Sequence, residues 1–184
     1  MKNDTMTDAA TEPVDFDPSR EQLFIRRLAA GHMAGALGPL HRWHPGQIDP
    51  RVINFTQDAT REEYLPWTLT AKVFALFHSG RRDVRYGYPG VGIGGWARRA
   101  FAGGPGGERL IIALTRAQDP LALDRNLTAL ARMNTPGVRF GPHWEAVMSE
   151  LLTWTDPKTR EDTQFTWGRD YYTFTARNDS DTSR

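Results

Sequence analysis

The sequence predicts an all-α fold, a compact helical bundle of about seven or eight helices. Three observations carry that expectation. Apolar residues recur at three- and four-residue spacing in several segments, most clearly at Trp144, Val147, Met148, Leu151 and Leu152. Glycine, proline and capping residues punctuate those segments where helices start and stop. No segment alternates apolar and polar side chains over the length of a strand. A chain of 184 residues without cysteine can bury a substantial core without disulfides, and the lack of thiols fits a reducing cytoplasm.

Taken in order, residues 1–18 are acidic and aperiodic, so a disordered tail is expected there, with neither signal peptide nor membrane anchor. Ser19 caps the first predicted helix, SREQLFIRRLAAG, which turns Leu23, Phe24 and Leu28 inward and ends at Gly31. A second short helix is expected from Met33 to Trp43, weakened by Gly38 and Pro39. HPGQIDP reads as a turn, and PRVINF as a short helix or an extended piece. Thr60 and Glu63 have the spacing of a capping box ahead of the central helix, whose apolar residues include Leu65, Leu69, Val73, Phe74, Leu76 and Phe77. Pro66 implies a kink or a start near Leu65, and Gly80 a stop. A loop rich in arginine, tyrosine and glycine, RRDVRYGYPGVGIGG, leads to a short helix, GWARRAFAG, and a break at GGPGG.

Two arginine-bearing helices follow between Gly107 and Arg132, divided at Asp119-Pro120, where the aspartate caps and the proline takes the first helical position. Arg109 and Arg116 stand seven residues apart, as do Arg125 and Arg132. Seven residues are nearly two turns, so each pair projects from one face about 10 Å apart along the axis. NTPGVRFGP connects to PHWEAVMSELLTW, and a last helix, PKTREDTQFTWGRDYYTF, precedes a polar end. The domain is thus expected over 19–176, in two packed helical halves, 19–104 and 105–176, with a polar tail at 177–184.

Charge is unevenly spread. Residues 1–18 sum to −4 and 140–184 to −3, whereas 19–139 hold seventeen bases against nine acids, sixteen of those bases being arginine and the other Lys72. Arginine's planar fork suits phosphate, so a polyanion is a natural partner, although each arginine taken singly also suits an ordinary solvated helix face. No run of apolar residues is long enough to span a membrane.

Gly90-Val91-Gly92-Ile93-Gly94-Gly95 matches GxGxxG in letters. A dinucleotide site needs a strand before it and a second βαβ unit, and neither is present, so the reading is a glycine loop beside Arg81, Arg82 and Arg85 that could close on a phosphate backbone. His41 and His44 are three apart with no carboxylate at ligand spacing, and HExxH and GxSxG do not occur. No cofactor, metal or catalytic residue is therefore assigned. Of the six tryptophans, most lie on apolar helix faces. Trp96, just before Arg98 and Arg99, could instead stack on the bases of a single strand.

The ordered series GALGPLHRW, WTLTAKVFALF, WARRAFA, ERLIIALTRA, WEAVMSELLTW and WGRDYY resembles the CasB family, the small subunit of the type I-E CRISPR surveillance complex Cascade. The resemblance runs from about Leu23 to Phe174. It implies an all-α protein without catalytic activity. The implied protein is present as two copies in the complex, contacts the other Cascade subunits and the guide RNA, and binds single-stranded DNA without sequence preference. The family's basic pair at the end of the second helix falls on His41 and Arg42, and the following short helix contributes Arg99 beside Arg98. Arg109 and Arg116 match the arginine-rich helix. The expected leucine-arginine-arginine of the next helix is Leu127-Thr128-Ala129, leaving Arg125 and Arg132 to compensate. The nucleic-acid surface expected is Arg42, Arg98, Arg99, Arg109, Arg116, Arg125 and Arg132. The alternative, from another class, is a helical module whose arginines meet an acidic protein.

Overall fold

The computed structural model describes residues 17–87, 89–133 and 141–174. The expected N-terminal tail, all but its last two residues, the connection after Met133 and the polar C-terminal end lie outside them. Nine helices, and no strand, occur among the described residues: α1 (Arg20–Met33), α2 (Gly38–Arg42), α3 (Pro50–Ile53), α4 (Tyr64–His78), α5 (Ile93–Ala100), α6 (Pro105–Thr115), α7 (Pro120–Arg132), α8 (Trp144–Thr155) and α9 (Arg160–Thr173). The number exceeds the expected seven or eight because PRVI makes a helical turn of its own. Asp49 caps it, accepting from the Arg51 N–H, and Pro50 stands in its first turn.

α4 is the centre. From Pro66 to His78 every residue is buried, because α1, α2, α7 and α8 all pack against it. The Thr60–Glu63 box forms, with Glu63 N–H on Thr60 Oγ1 and Thr60 N–H on Glu63 Oε2. It closes a turn ahead of the helix, so Pro66 falls in the first turn of α4, where its missing N–H has no partner to lose. The second layer is α9, which packs on α5, α6 and α8.

Three N-terminal expectations are corrected. Gly31 does not end α1: the helix continues to Met33, and a Cβ at Gly31 would lie 2.8 Å from Phe55 and 2.9 Å from Leu37. Gly31 is thus a contact point, and the left-handed residue after the helix is Gly35, at φ +68°. The second helix correspondingly shrinks to Gly38–Arg42. Leu23 is 44% exposed, and Ile25 takes the inward position beside Phe24 and Leu28.

Buried His78 and half-buried Glu150 lie in the inter-helix packing. His78 sits among Phe74, Phe77 and Trp144. Its Nε2 accepts from the Arg85 N–H, and its Nδ1 lies 2.8 Å from the Phe74 carbonyl, which places the proton on Nδ1. Burial pushes its pKa down to about 4. Glu150 on α8 accepts at Oε2 from the Ile93 N–H at 2.8 Å and from Trp167 Nε1–H at 2.9 Å, joining α5, α8 and α9. Burial raises its carboxyl to about 7 against the pull of those two donors, with Asp170 adding repulsion.

The glycine motif is explained by this junction. A Cβ at Gly92 would run into the Glu150 carboxylate, one at Gly94 into the backbone of Trp167, and one at Gly95 would press on Phe174 at 3.1 Å. Gly94 and Gly95 lie on α5 rather than in a loop. Gly92, Gly94 and Gly95 therefore let helices approach closely, whereas Gly90, exposed at φ +81°, makes the turn ahead of them.

Candidate nucleic-acid interface

α6 and α7 orient their arginines by burying the opposite side. On α6, Gly107, Leu110, Ile111 and Leu114 face inward. Arg109 therefore points to solvent, and so does Arg116, the C-cap residue, whose αR backbone continues the helical direction. On α7, Leu123, Asp124, Leu127, Leu130 and Ala131 are buried, and Arg125 and Arg132 are exposed. Asp119 accepts from the Ala122 N–H and Pro120 opens the helix, as the sequence implies. The side-chain amide of Asn126 donates to the Ala113 carbonyl and links the two helices. None of these four arginine side chains has a hydrogen bond or ion pair among the described residues. By contrast, Arg20 and Arg27 on α1 are paired with Glu63 and Asp58.

Sequence reasoning missed the group that positions α7. Lys72 on α4 and Asp124 on α7 are buried, and Lys72 Nζ lies 2.7 Å from each carboxylate oxygen. His44 Nδ1 lies 3.5 Å from Asp124 Oδ2. Asp124 immediately precedes Arg125, and His44 follows Arg42 by two residues. This junction therefore brings the segment just after α2 next to α7, distant in sequence. The available signal was a single lysine in the apolar run LTAKVFALF and a single aspartate at a core position of α7; charges in such places need partners.

Arg42 is exposed at the rim of an open groove of about 730 Å³ that Trp43, Ile48, Asp49 and Arg51 also line. Hydrogen bonds from Arg51 hold the Asp49 carboxyl below its ordinary pKa, and the charge of Arg42 adds to the effect. Arg98 and Arg99 differ from the rest. Both are half-buried on α5, with the Arg98 guanidinium 5.7 Å from the Tyr171 ring centre and that of Arg99 4.8 Å from Phe174. They clamp α5 to the end of α9 through cation–π contact. Trp96 is not a surface platform: it is 1% exposed, edge-on to Phe77 and Trp144. The described residues contain no group of three or more metal-binding side chains, and none of the described helices is long and apolar enough to cross a membrane.

The family model of the CRISPR-associated protein Cse2 matches residues 24–172. No curated protein sequence is similar enough to match. Among solved structures, CasB from Thermobifida fusca superposes with a TM-score of 0.63 at 18% identity, over 82% of this chain and 94% of that one. CasB from M. ruber gives 0.61 at 24% identity, over 88% and 97%. A Cse2-family CRISPR-associated protein from Thermus thermophilus gives 0.61 at 21%, over 84% and 99%. These likenesses show the fold, and the family match shows the lineage.

Proposed function

The chain belongs to the Cse2 (CasB) family, the small subunit of type I-E Cascade, and from that premise we propose that it holds nucleic acid in the complex without sequence preference. The strands it holds are the displaced single strand of DNA and the guide RNA, gripped along their phosphates. The observation that carries this reading is the pair of exposed, unpartnered arginine faces, Arg109 with Arg116 and Arg125 with Arg132. Arg42, also exposed, stands two residues before His44, whose ring approaches Asp124 beside Arg125.

Guanidinium groups without an acid partner are available to replace condensed counterions on a phosphate backbone. Such binding is indifferent to sequence and falls steeply with salt. Exchanging a DNA duplex for a guide–target duplex is nearly balanced in free energy, so a few phosphate contacts on the released strand shift it appreciably. The role is one of scaffolding, alongside the other Cascade subunits and a second copy of the chain. Arg98 and Arg99 contribute mainly by fixing α5 on α9.

Four charge reversals, Arg109→Glu, Arg116→Glu, Arg125→Glu and Arg132→Glu, test it by fluorescence anisotropy on single strands of unrelated sequence. Affinity should fall for all of them alike. The slope of log affinity against log salt should flatten by about 0.7 for each phosphate contact removed. Circular dichroism should be unchanged. Wild-type affinity in that variant would sink the assignment. A second reading, an acidic protein partner, is favoured by one observation: Ile112 and Leu121 are exposed on the same helices, 39% and 60%. Nuclease treatment of a pulldown separates the two, since it releases partners only under the nucleic-acid reading.

A further inference from the structure

The outer face of α9 has a chemistry unlike that of the arginine faces. Thr163, Gln164, Trp167 and Tyr171 turn inward. On the opposite side Phe165 is 70% exposed and Tyr172 62%. They are seven residues apart, so their rings stand about 10 Å apart along one side of the helix. Glu161 and Asp162 are exposed in the first turn of the same face. Tyr172 Oη donates to Glu108 Oε1 at 3.2 Å, which extends the patch onto the start of α6. The Tyr172 ring also meets Tyr171 edge-on, with ring centres 5.1 Å apart, and so is held in place before any partner arrives. Arg169, the one cation on this side of α9, is engaged by Asp170 through two hydrogen bonds of 3.0 and 2.9 Å.

We propose that this face of α9 docks the chain onto a cationic surface of a neighbouring protein subunit, one that offers apolar recesses for Phe165 and Tyr172. The proposal rests on the reading of the chain as a Cascade subunit. Two exposed aromatic rings ringed by polar groups, Tyr172 already held in place, are the composition of a binding hot spot, and large rings lose little conformational entropy on docking. Charge selects the occupant. Glu108, Glu161 and Asp162 remain on this face once Arg169 is neutralised by Asp170, so a phosphate backbone is repelled, and aromatic exposure here does not make a base-stacking platform. A subunit that grips a guide RNA must itself be rich in cations, and its surface complements these carboxylates. The arrangement segregates two partners: nucleic acid on the arginine faces of α6 and α7, protein on α9.

The test uses the full chain, co-expressed with the other subunits and the guide, with the complex captured through a different subunit and the chain quantified by native mass spectrometry. Phe165→Ala with Tyr172→Ala should weaken incorporation by about tenfold or more. Glu161→Lys with Asp162→Lys, which touches no aromatic, should weaken it too. In the purified chains, single-strand affinity should be unchanged for the first variant and unchanged or higher for the second. Full incorporation of both variants overturns the proposal. So does lost single-strand affinity in Phe165→Ala/Tyr172→Ala, which would make the rings a stacking platform. Reduced self-association with normal incorporation would assign the face to a second copy and also overturn it. Failure of the arginine reading is separately visible: the quadruple arginine variant would keep its strand affinity while the α9 variants still fell out of the complex.

Discussion

Replacing Glu150 by glutamine should stabilise this protein at alkaline pH and leave it unchanged in acid. Glu150 has an ordinary carboxyl pKa of 4.5 when unfolded and about 7 in the fold, because burial outweighs its two hydrogen bonds. Between those values the folded state binds more protons than the unfolded state, so stability falls as pH rises. The slope is about 1.4 kcal/mol per pH unit, which gives an upper limit of about 3 kcal/mol once the carboxylate is charged in both states. The Ile93 and Trp167 donors both go to Oε2, so an amide oxygen in that place keeps both while removing the buried charge. Urea unfolding of the full chain from about pH 4 to about pH 8 measures the difference. The advantage of the glutamine variant should be near zero at the acid end and grow to as much as about 3 kcal/mol at the alkaline end. His78 has the opposite sign: its pKa is lowered from 6.5 to about 4, so its contribution is full above the higher value and is lost as pH falls towards the lower. The two slopes oppose each other in the wild type, and the glutamine variant should therefore reveal a loss of stability on acidification. A variant less stable at every pH, or one whose advantage does not grow with pH, would refute the account of the Glu150 junction.

Lys72→Met should cost about 3–5 kcal/mol in urea by leaving Asp124 buried without its partner, whereas adding Asp124→Leu should recover most of the loss. Gly94→Ala should lower the melting temperature, at a cost of about 1–3 kcal/mol or more, because its Cβ would run into the Trp167 carbonyl oxygen and backbone cannot yield cheaply. Millimolar dinucleotide should leave the wild-type melting temperature where it is; a rise would restore a ligand role to the glycine motif. Trp96→Ala should destabilise by about 3–5 kcal/mol, as expected of a core aromatic, while its folded fraction binds single strands as tightly as the wild type. A selective loss of strand affinity would return Trp96 to the interface.

Periodicity and capping chemistry determined the helices by themselves. Ser19, Asp119 with Pro120, and the Trp144 to Leu151 stripe needed only local geometry, and the outward direction of Arg109, Arg116, Arg125 and Arg132 followed from where leucines fall on a 3.6-residue repeat. What lay beyond the sequence was every property set by a distant neighbour. Gly31, Gly92 and Gly94 resemble breakers until Phe55, Leu37, Glu150 and Trp167 are seen against them. Trp96 resembles a surface aromatic until Phe77 and Trp144 enclose it. Arg98 and Arg99 have the same letters as Arg125 and Arg132, yet rings from α9 and the residue after it hold the first pair and nothing described holds the second. A local pattern fixes which way a side chain points from its own helix; what it points at depends on which helices meet. Here that meeting is set by buried contacts such as Lys72–Asp124, between residues far apart in the chain.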